Sequence, residues 1–390
     1  MTRLVHELAA RGHRLHVVTS LPWYRSHAVE EDWRGRPVRR EDVEWGRITR
    51  LHPVASTDKS KLVRRAASFG AFTATSTVAA ACSTRTDLVL AMSPPLTLAP
   101  AGWLVAKRMS APMVLNIQDV YPDAAVATGA ISGQRIISAM SRLERFSYAR
   151  AGAVTVLSED LRANLEPRVA DVEKLRVIPN FVDTDRITPG DRRNRYRDEH
   201  GIGDEVVVMY AGNVGYSQPL ELVVEAARRL SERHDIRFVV NGEGSRRAEL
   251  EADTSDLPNV TLVDYQATER LPEVLAAGDI HLVLLKEGLA SVSVPSKMYS
   301  ILAAGRPVLA SVDPGTEVDR VVTSTGAGLA VPAGEVDAFV AAVAQLADDR
   351  DRRVEAGGAG RRFAEGWLSV GAVAEAYEEL FDELLAQQRR

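Results

Sequence analysis

The stretch SVSVPSKMYSILAAGRPVLAS in the C-terminal half carries the clearest chemical signal in the sequence. Pro295 suits the first position of a helix, so Ser293 or Val294 is expected to cap that helix. Ser293, Ser296 and Lys297 then surround free backbone amides at the positive end of the helix dipole, which attracts anions. The segment therefore predicts a diphosphate site. The alternative is an ordinary helix cap with Lys297 in solvent.

Two glycine-containing turns precede this segment, each directly after an apolar run. In YAGNVGYSQPLEL, Gly212 and Gly215 frame a turn between a strand that ends at Tyr210 and a helix that begins at Pro219. The second turn, NGEG, spans residues 241–244. Glycine lets the backbone approach a phosphate closely. A plain βα loop is the alternative for both turns, with two solvated arginines after the second.

A fourth candidate lies in the N-terminal half, in the sequence NIQDVYPDAAVATGAI. An apolar strand delivers Gln118 and Asp119 to its carboxyl end, and Pro122 and Asp123 follow. A carboxylate there can orient an acceptor hydroxyl or act as a general base. The alternative is an aspartate that caps a helix.

Helical and strand patterns alternate along the whole chain, which is typical of parallel sheets covered by helices. Five short apolar runs in the first half and six in the second predict two doubly wound α/β domains. We expect an N-terminal domain over 1–182, a linker over 183–204, a C-terminal domain over 205–366, and a helix over 367–390 that packs back towards the N-terminal domain. Ligands of such sheets bind beyond the carboxyl ends of the strands, which favours a cleft between the domains.

The composition excludes several classes of protein. The 390 residues carry a net charge of -5, which argues against a general nucleic-acid binder. Cys82 is the only cysteine and no HExxH-like spacing occurs, so neither a disulfide nor a metal site is expected. These features favour a cytoplasmic protein.

The N-terminal region has two unusual features. The chain opens within an amphipathic helix, Leu4–Arg11, where a doubly wound domain would begin with a strand and a glycine-rich turn. The segment Ala66–Thr84 is uncharged but rich in Ala, Ser and Thr, so we expect a docked helix rather than a membrane span. A basic cluster beside it suggests peripheral contact with the inner membrane, with a solvated helix face as the alternative; its residues are Lys59, Lys61, Arg64 and Arg65.

Taken in order, several motifs resemble those of the retaining GT-B glycosyltransferases of family 4, over essentially the whole chain. They are RGHRLHVVT, SEDLRANL, IPNFVD, YAGNVG, NGEG, VPSKMYSILAAGRPV and GAGLAVPAGE. The chain is most similar to the subgroup that builds bacterial capsule, colanic acid and O-antigen, which includes the N-acetyl-fucosamine transferases. The acceptor-side motif of that subgroup is approximately DLWP, and this chain has DVYP at Asp119–Pro122.

The resemblance implies a role for each matching residue. Asp119 and Lys297 would be the catalytic residues. The donor diphosphate would lie against Gly212, Asn213 and Gly215 and be held by Ser296 and Lys297. The residues Gly242, Glu243 and Gly244 would close the donor pocket, and the main chain of Tyr265 and Gln266 would meet the nucleobase.

Two departures from the family pattern affect the phosphate site. Many family members carry an Arg and a Lys around the first turn, and here Asn213 and Gln218 occupy those positions. Ser300 stands where the second glutamate of the family's Glu–seven residues–Glu pattern would be, and Glu287 lies too far upstream to restore the spacing. We therefore expect Lys297 to balance the phosphate charge, without a metal or another cofactor.

The expected activity is transfer of a sugar from a nucleotide sugar, with UDP favoured, to a growing glycan or a polyprenyl-linked saccharide. By resemblance, the anomeric configuration is retained and the product belongs to a cell-surface polysaccharide. Two alternatives stay open: a sugar-nucleotide epimerase of the same fold, and a non-catalytic nucleotide-sugar-binding copy that lacks its first strand.

Overall fold

The computed structural model describes residues 1–22, 33, 35, 37–53, 62–123, 126, 131, 133–216, 218–289 and 295–389, with only the main chain of 62–67. It divides into two compact units. One unit combines Met1–Ile178 with Ala374–Arg390, and the other is Pro179–Val373.

The first unit contains two sheets. Strands β4 to β7 form a four-stranded parallel sheet in the order β4-β5-β6-β7, while β1 pairs in parallel with β3, which pairs antiparallel with β2. The elements are α1 (Thr2–Ala10), β1 (Leu15–Ser20), β2 (Val38–Val43), β3 (Gly46–Leu51), α2 (Leu62–Ala81), β4 (Val89–Ser93), α3 (Leu98–Met109), β5 (Met113–Ile117), α4 (Gln134–Arg150), β6 (Ala153–Val156), α5 (Glu159–Leu165) and β7 (Leu175–Val177).

The second unit contains one six-stranded parallel sheet in the order β10-β9-β8-β11-β12-β13. Its elements are α6 (Arg195–Glu199), β8 (Val206–Ala211), α7 (Glu221–Arg229), β9 (Ile236–Asn241), α8 (Arg247–Thr254), β10 (Val260–Val263), α9 (Leu271–Ala277), β11 (Ile280–Leu284), α10 (Lys297–Ala303), β12 (Val308–Val312), α11 (Glu317–Thr325), β13 (Gly328–Pro332), α12 (Val336–Asp348) and α13 (Arg350–Phe363), followed by α14 (Val370–Gln388), whose residues from Ala374 belong to the first unit. The strand order reverses between β8 and β11, the position at which such sheets bind ligands.

The central strands of the second unit are covered on both faces. Val207, Val208, Met209 and Tyr210 of β8 are completely buried, as are the neighbouring residues of β9 and β11. Parallel strands covered by helices on both faces need such continuous apolar runs. The predicted α/β class with parallel sheets is confirmed.

The hairpin β2–β3 was not predicted. Its side chains are largely charged, and they pair across the two strands: Arg47 with Asp42 at 2.6 Å and Arg50 with Glu41 at 3.0 Å. Cross-strand ion pairs stabilise a hairpin without the apolar alternation by which strands are normally predicted. In the described part of the chain, β1 pairs with β3 of this hairpin.

The segment 183–204 packs within the second unit, although we expected a linker there. The Arg197 side chain is 1% exposed, donates hydrogen bonds to the carbonyls of Ala277 and Gly203 at 2.9 Å each, and pairs with Asp279 at 2.6 Å. Tyr196 is also completely buried. These contacts make the segment part of the packed structure.

The C-terminal helix α14 completes the first unit. Asn116 at the end of β5 donates a hydrogen bond to the Tyr377 hydroxyl at 3.0 Å, and Arg11 pairs with Glu378 at 2.7 Å. At the other end of the chain, α1 begins at Thr2 and is followed by Gly12 with φ of 98°.

The uncharged N-terminal segment forms helix α2, as expected. Among the helices that the structure describes, none is long and apolar enough to cross a membrane. Lys59 and Lys61 of the predicted basic cluster, and the side chains of Arg64 and Arg65, lie outside the described part of the chain.

Candidate functional site

The turns after β8 and β9 extend the parallel sheet beyond the ends of its strands. The Gly212 amide donates to the Asn241 carbonyl at 3.0 Å, and the Val214 amide donates to the Glu243 carbonyl at 2.8 Å. The Gly242 amide donates to the Val263 carbonyl at 2.8 Å. The two glycine-containing turns therefore form one surface at the carboxyl edge of the sheet.

The glycines of the second turn are required because the two turns pack backbone to backbone. A β-carbon at residue 242 would lie 1.9 Å from the Gly212 carbonyl oxygen, and one at residue 244 would lie 2.1 Å from that of Val214. Gly244 also has φ of 157°. No L-residue fits either position without moving a main chain.

Gly212 provides room for Lys297. A β-carbon at residue 212 would lie 2.9 Å from the Lys297 amine nitrogen, and Gly212 has φ of 152°. The structure thus brings Lys297 directly against the turn after β8, although the two residues are far apart in sequence.

The Lys297 amine is buried and has no hydrogen-bond partner among the residues described. Its nitrogen lies 3.8 Å from the centre of the Tyr210 ring, and the Tyr210 hydroxyl donates to the Asn213 carbonyl at 2.7 Å. Removal of the amine from water lowers the pKa of Lys297 to about 7. A buried cation with no anionic partner is costly, so this geometry suits an anion that arrives at the turn.

Helix α10 begins later than predicted. Its first residue is Lys297, with Ser296 as the N-cap residue, so the prediction that Pro295 takes the first helical position is wrong. The Met298 amide bonds to the Pro295 carbonyl and the Tyr299 amide to that of Ser296, both i to i+3 contacts. Such contacts form a tighter turn that delays the α-helical pattern.

The remaining predicted residues of this helix are only partly described. Ser293 lies outside the described residues. The Ser296 side chain is exposed and makes no capping hydrogen bond, and Ser300 is half-buried within α10. Of the described residues in this segment, Lys297 is therefore the one that lies against the turn after β8.

Asn213 and Gln218 lie in the first turn, where many family members have an Arg and a Lys. Asn213 is exposed, and its amide nitrogen would be 2.5 Å from a β-carbon at Gly215. The Gln218 side-chain oxygen is buried without a partner among the described residues. Neither residue carries a positive charge.

Glu243, Tyr265 and Gln266 lie at the same edge of the sheet. Tyr265 is 54% exposed, and burial of its hydroxyl followed by the negative charge of Glu243 raises its pKa. The Gln266 side chain donates to the Asp264 carbonyl at 3.1 Å and accepts from Arg270 at 3.0 Å.

The two arginines that follow the NGEG turn both form ion pairs. Arg246 pairs with Glu221 and Glu249 at 2.6 Å each. Arg247 donates to the Gly242 carbonyl at 2.6 Å and so holds the turn in place. The spacing of Arg246 and Glu249 on one helix was the only sequence signal for these contacts.

Sequence reasoning also missed Lys286, the second residue after β11. It is half-buried, and its positive charge contributes to lowering the pKa of Glu221, after the larger effects of the backbone and Arg246. Since β11 neighbours β8, Lys286 is a second cation at the carboxyl edge. A cation two residues after a fully buried strand was its signal.

In the first unit, the acceptor-side residues follow β5. The Gln118 amide continues the ladder to Ser93 at 2.9 Å, and the Gln118 side chain donates to the Asn116 side chain at 2.6 Å. Asp119 is half-buried, and burial raises the pKa of its carboxyl group. No side-chain bond to Asp119 is present within the described structure.

Asp123 has a different environment. Arg168 binds its carboxylate and also pairs with the buried Glu144 at 3.2 Å. The Tyr148 hydroxyl donates to the same Glu144 at 3.0 Å, and Pro122 is buried. Asp123 thus belongs to a packed ion-pair cluster, whereas the Asp119 carboxylate is available to a ligand.

Within the described ranges, no group of three or more His, Cys, Asp or Glu side chains could hold a metal ion.

Two family models match the chain. The glycosyl transferase 4-like domain matches residues 1–180, and the glycosyl transferases group 1 model matches residues 205–349. Together they cover both predicted domains.

Two curated relatives cover most of the chain. A protein named as the colanic acid biosynthesis glycosyl transferase WcaI of Escherichia coli K12 is 29% identical over 355 residues, which are 88% of this chain and 86% of that protein. A protein named as the glycosyltransferase WbjE of Pseudomonas aeruginosa is 28% identical over 276 residues, which are 68% of this chain and 66% of that one.

Solved structures share the fold. Sucrose-phosphate synthase from Thermosynechococcus elongatus has a TM-score of 0.75 at 19% identity, over 99% of this chain and 92% of that one. WaaG, a glycosyltransferase involved in lipopolysaccharide biosynthesis, has a TM-score of 0.65 at 16% identity, over 97% of this chain and 94% of its own. Anabaena HepE in complex with UDP-glucose has a TM-score of 0.63 at 15% identity, over 80% of this chain and 82% of that chain. These likenesses confirm the predicted GT-B fold.

Proposed function

The chain belongs to the family 4-like glycosyltransferases of the GT-B fold, and from this premise we propose that it transfers a sugar from a nucleoside diphosphate donor to a saccharide acceptor in cell-surface polysaccharide biosynthesis. The family assignment does not favour the epimerase or the non-catalytic alternative. The names of WcaI and WbjE support the pathway, and the solved complex of HepE with UDP-glucose supports a UDP-sugar as donor.

The observation that carries this proposal is the position of Lys297. Its buried, unpartnered amine lies against Gly212, at the turn where the sheet of this fold receives its ligand. A diphosphate there would accept a charge-assisted hydrogen bond, worth roughly 1.5–3 kcal/mol. The interaction strengthens as negative charge develops on the leaving diphosphate, so it lowers the barrier to transfer.

The proposed reaction exchanges one bond at the anomeric carbon. The bond between that carbon and the diphosphate oxygen breaks, and a bond to the acceptor hydroxyl oxygen forms. The nucleoside diphosphate leaves with the electron pair, and Asp119 takes the proton of the acceptor hydroxyl. Burial raises the pKa of Asp119, which makes its carboxylate a better base. We propose retention of the anomeric configuration, in keeping with the family resemblance.

The acceptor that we propose is a growing glycan or a polyprenyl-linked saccharide. A lipid-linked acceptor would place the enzyme at the cytoplasmic face of the inner membrane as a peripheral protein. We further propose that neither a metal ion nor another cofactor is needed, because Lys297 can balance the diphosphate charge; EDTA should then leave the transfer rate unchanged.

The test has two steps. A panel of UDP- and GDP-sugars is first screened for an increase in thermal unfolding temperature. Release of nucleoside diphosphate from the stabilising donor is then followed with lipid-linked saccharide acceptors, and nuclear magnetic resonance of the product gives the anomeric configuration.

Lys297→Ala should abolish nucleoside diphosphate release while the protein stays folded. Lys174→Ala, which changes a half-buried lysine of the first unit, is the matched control and should release it normally. Normal release by the Lys297 variant would remove this residue from the site. Interconversion of donor sugars without release of nucleoside diphosphate would establish the epimerase instead.

A further inference from the structure

Helices α2, α3 and α4 form one continuous layer in the first unit. The Thr73 hydroxyl of α2 is 2.7 Å from that of Thr97, the residue that precedes α3. Trp103 of α3 meets Phe146 of α4 edge to face, with ring centres 5.4 Å apart. We call the outer surface of these three helices the helical face.

The charges of this layer are almost all positive, although the chain as a whole carries -5. The single acidic residue in the three helices is Glu144, which is 1% exposed and paired with Arg168. The basic residues of the three helices are Arg64, Arg65, Lys107, Arg108, Arg135, Arg142, Arg145 and Arg150. An uncompensated positive layer on an acidic protein indicates an anionic partner.

Six of these cations are exposed, and none has a carboxylate within ion-pair distance among the residues that the structure describes: Lys107, Arg108, Arg135, Arg142, Arg145 and Arg150. Two of them lie over an aromatic ring, Lys107 at 5.5 Å and Arg150 at 5.3 Å from the centre of Trp103. Two arginines of the second unit, the exposed Arg229 and the partly exposed Arg233, do pair with acids.

Large apolar side chains are exposed between these cations. Val78 of α2 is 63% exposed and Leu104 of α3 is 50% exposed. Ile136, Phe146 and Phe69 are also exposed on the same three helices. On α4 the residues 135, 142, 145 and 146 repeat at helical spacing, so its cations and apolar side chains share one side of the helix.

We propose that the helical face binds the surface of an anionic lipid bilayer. Apolar side chains would enter the boundary between headgroups and acyl chains, while the arginines and Lys107 contact anionic headgroups. A nucleic acid would use the cations but would gain nothing from exposed Val78 and Leu104. The inference rests on the peripheral membrane contact proposed above and places that contact on the exposed residues of α2, α3 and α4.

The test measures binding of the full chain to vesicles. One set contains phosphatidylcholine alone, and in the other about a third of the lipid is phosphatidylglycerol, which supplies the anionic surface. Co-sedimentation should show binding to the anionic vesicles only, and about 0.5 M salt should weaken it, because salt screens interactions between exposed charges. Binding to both sets alike would overturn the proposal.

Paired variants locate the surface. Arg142→Gln combined with Arg145→Gln should lower the partition onto anionic vesicles about 30-fold, the factor expected when two cations leave an anionic surface. The control combines Arg350→Gln with Arg362→Gln, two exposed arginines of the second unit without an ion pair among the described residues. It removes the same charge and should bind as the wild type does.

A second pair tests the apolar part. Leu104→Ser should weaken vesicle binding, while Val354→Ser, at a residue 67% exposed on α13, should not. Equal losses in a variant and its control, or binding of duplex DNA in the absence of vesicle binding, would refute the proposal. Stabilisation by UDP is measured on the same proteins without vesicles, so failure of the membrane surface and failure of the donor site are distinguishable.

Discussion

Replacement of Lys297 by methionine should make the protein more stable and unable to bind the donor. Methionine keeps the length of the side chain and its contact with Tyr210 but removes the buried charge. The pKa of Lys297 falls from 10.5 to about 7 on folding. A basic group whose pKa falls on folding opposes folding whenever it is protonated in the unfolded chain.

The size of the effect follows from that pKa. At pH 6 this fall in pKa lowers the free energy of unfolding by about 5 kcal/mol, and at pH 9 by about 2 kcal/mol. Relaxation of the structure around the buried amine reduces these values to about 2–3 and about 1 kcal/mol. This destabilisation has its full size below pH 7 and disappears above about pH 10.5, where Lys297 is neutral in both the folded and the unfolded protein. Lys297→Met should therefore raise the unfolding temperature by about 4–8 °C at pH 6, and by less at pH 9.

The assay is thermal unfolding at the two pH values, with and without UDP. Saturating UDP, at about 100 times its Kd, should stabilise the wild type by about 2.7 kcal/mol and leave the methionine variant unchanged. Lys174→Met serves as the control and should behave as the wild type in both respects. The reasoning fails if Lys297→Met is less stable than the wild type at pH 6, or if UDP stabilises it equally.

Three further predictions follow from single contacts. Gly212→Ala should remove most of the stabilisation by UDP and cost about 1–3 kcal/mol, because its β-carbon would meet Lys297 in an unfavourable backbone conformation; thermal unfolding checks both. Asp119→Asn should lower the transfer rate by about 10²–10⁴ without changing UDP binding, and the wild-type rate should fall with decreasing pH at a value above the usual aspartate range, as a pH–rate profile will show. Arg197→Met should destabilise the protein by about 1–3 kcal/mol in urea unfolding, because it removes the buried ion pair with Asp279, whose second partner Arg192 remains at 2.7 Å.

The strands of the second unit could be predicted because the apolar sequence of each strand identifies it without reference to the rest of the chain. Strands such as Val206–Ala211 are apolar over their whole length, as a sheet covered on both faces requires. The hairpin Val38–Leu51 gave no such signal, since its stability comes from ion pairs between two strands and not from an apolar pattern.

The candidate site could likewise be predicted only in part from the sequence. The glycines at 212, 242 and 244 were found because turns after strands have a recognisable composition. The role of Arg246 was missed because its partner Glu221 belongs to a different helix, and the buried position of Arg197 was missed because it binds Asp279, 82 residues further on. Contacts between distant elements leave no local pattern. The assignment of Lys297 and Asp119 to catalysis stays a prediction for the variants above.

The return of helix α14 to the first unit has a consequence for biosynthesis. The side chain of Asn116 is satisfied in part by Tyr377, which the ribosome adds 261 residues later. The first unit therefore cannot form all of its contacts until the second unit, Pro179–Val373, has been synthesised and can fold. During synthesis the unit that is made first would be the one completed last, and a chain released before Ala374 would leave the first unit without Tyr377.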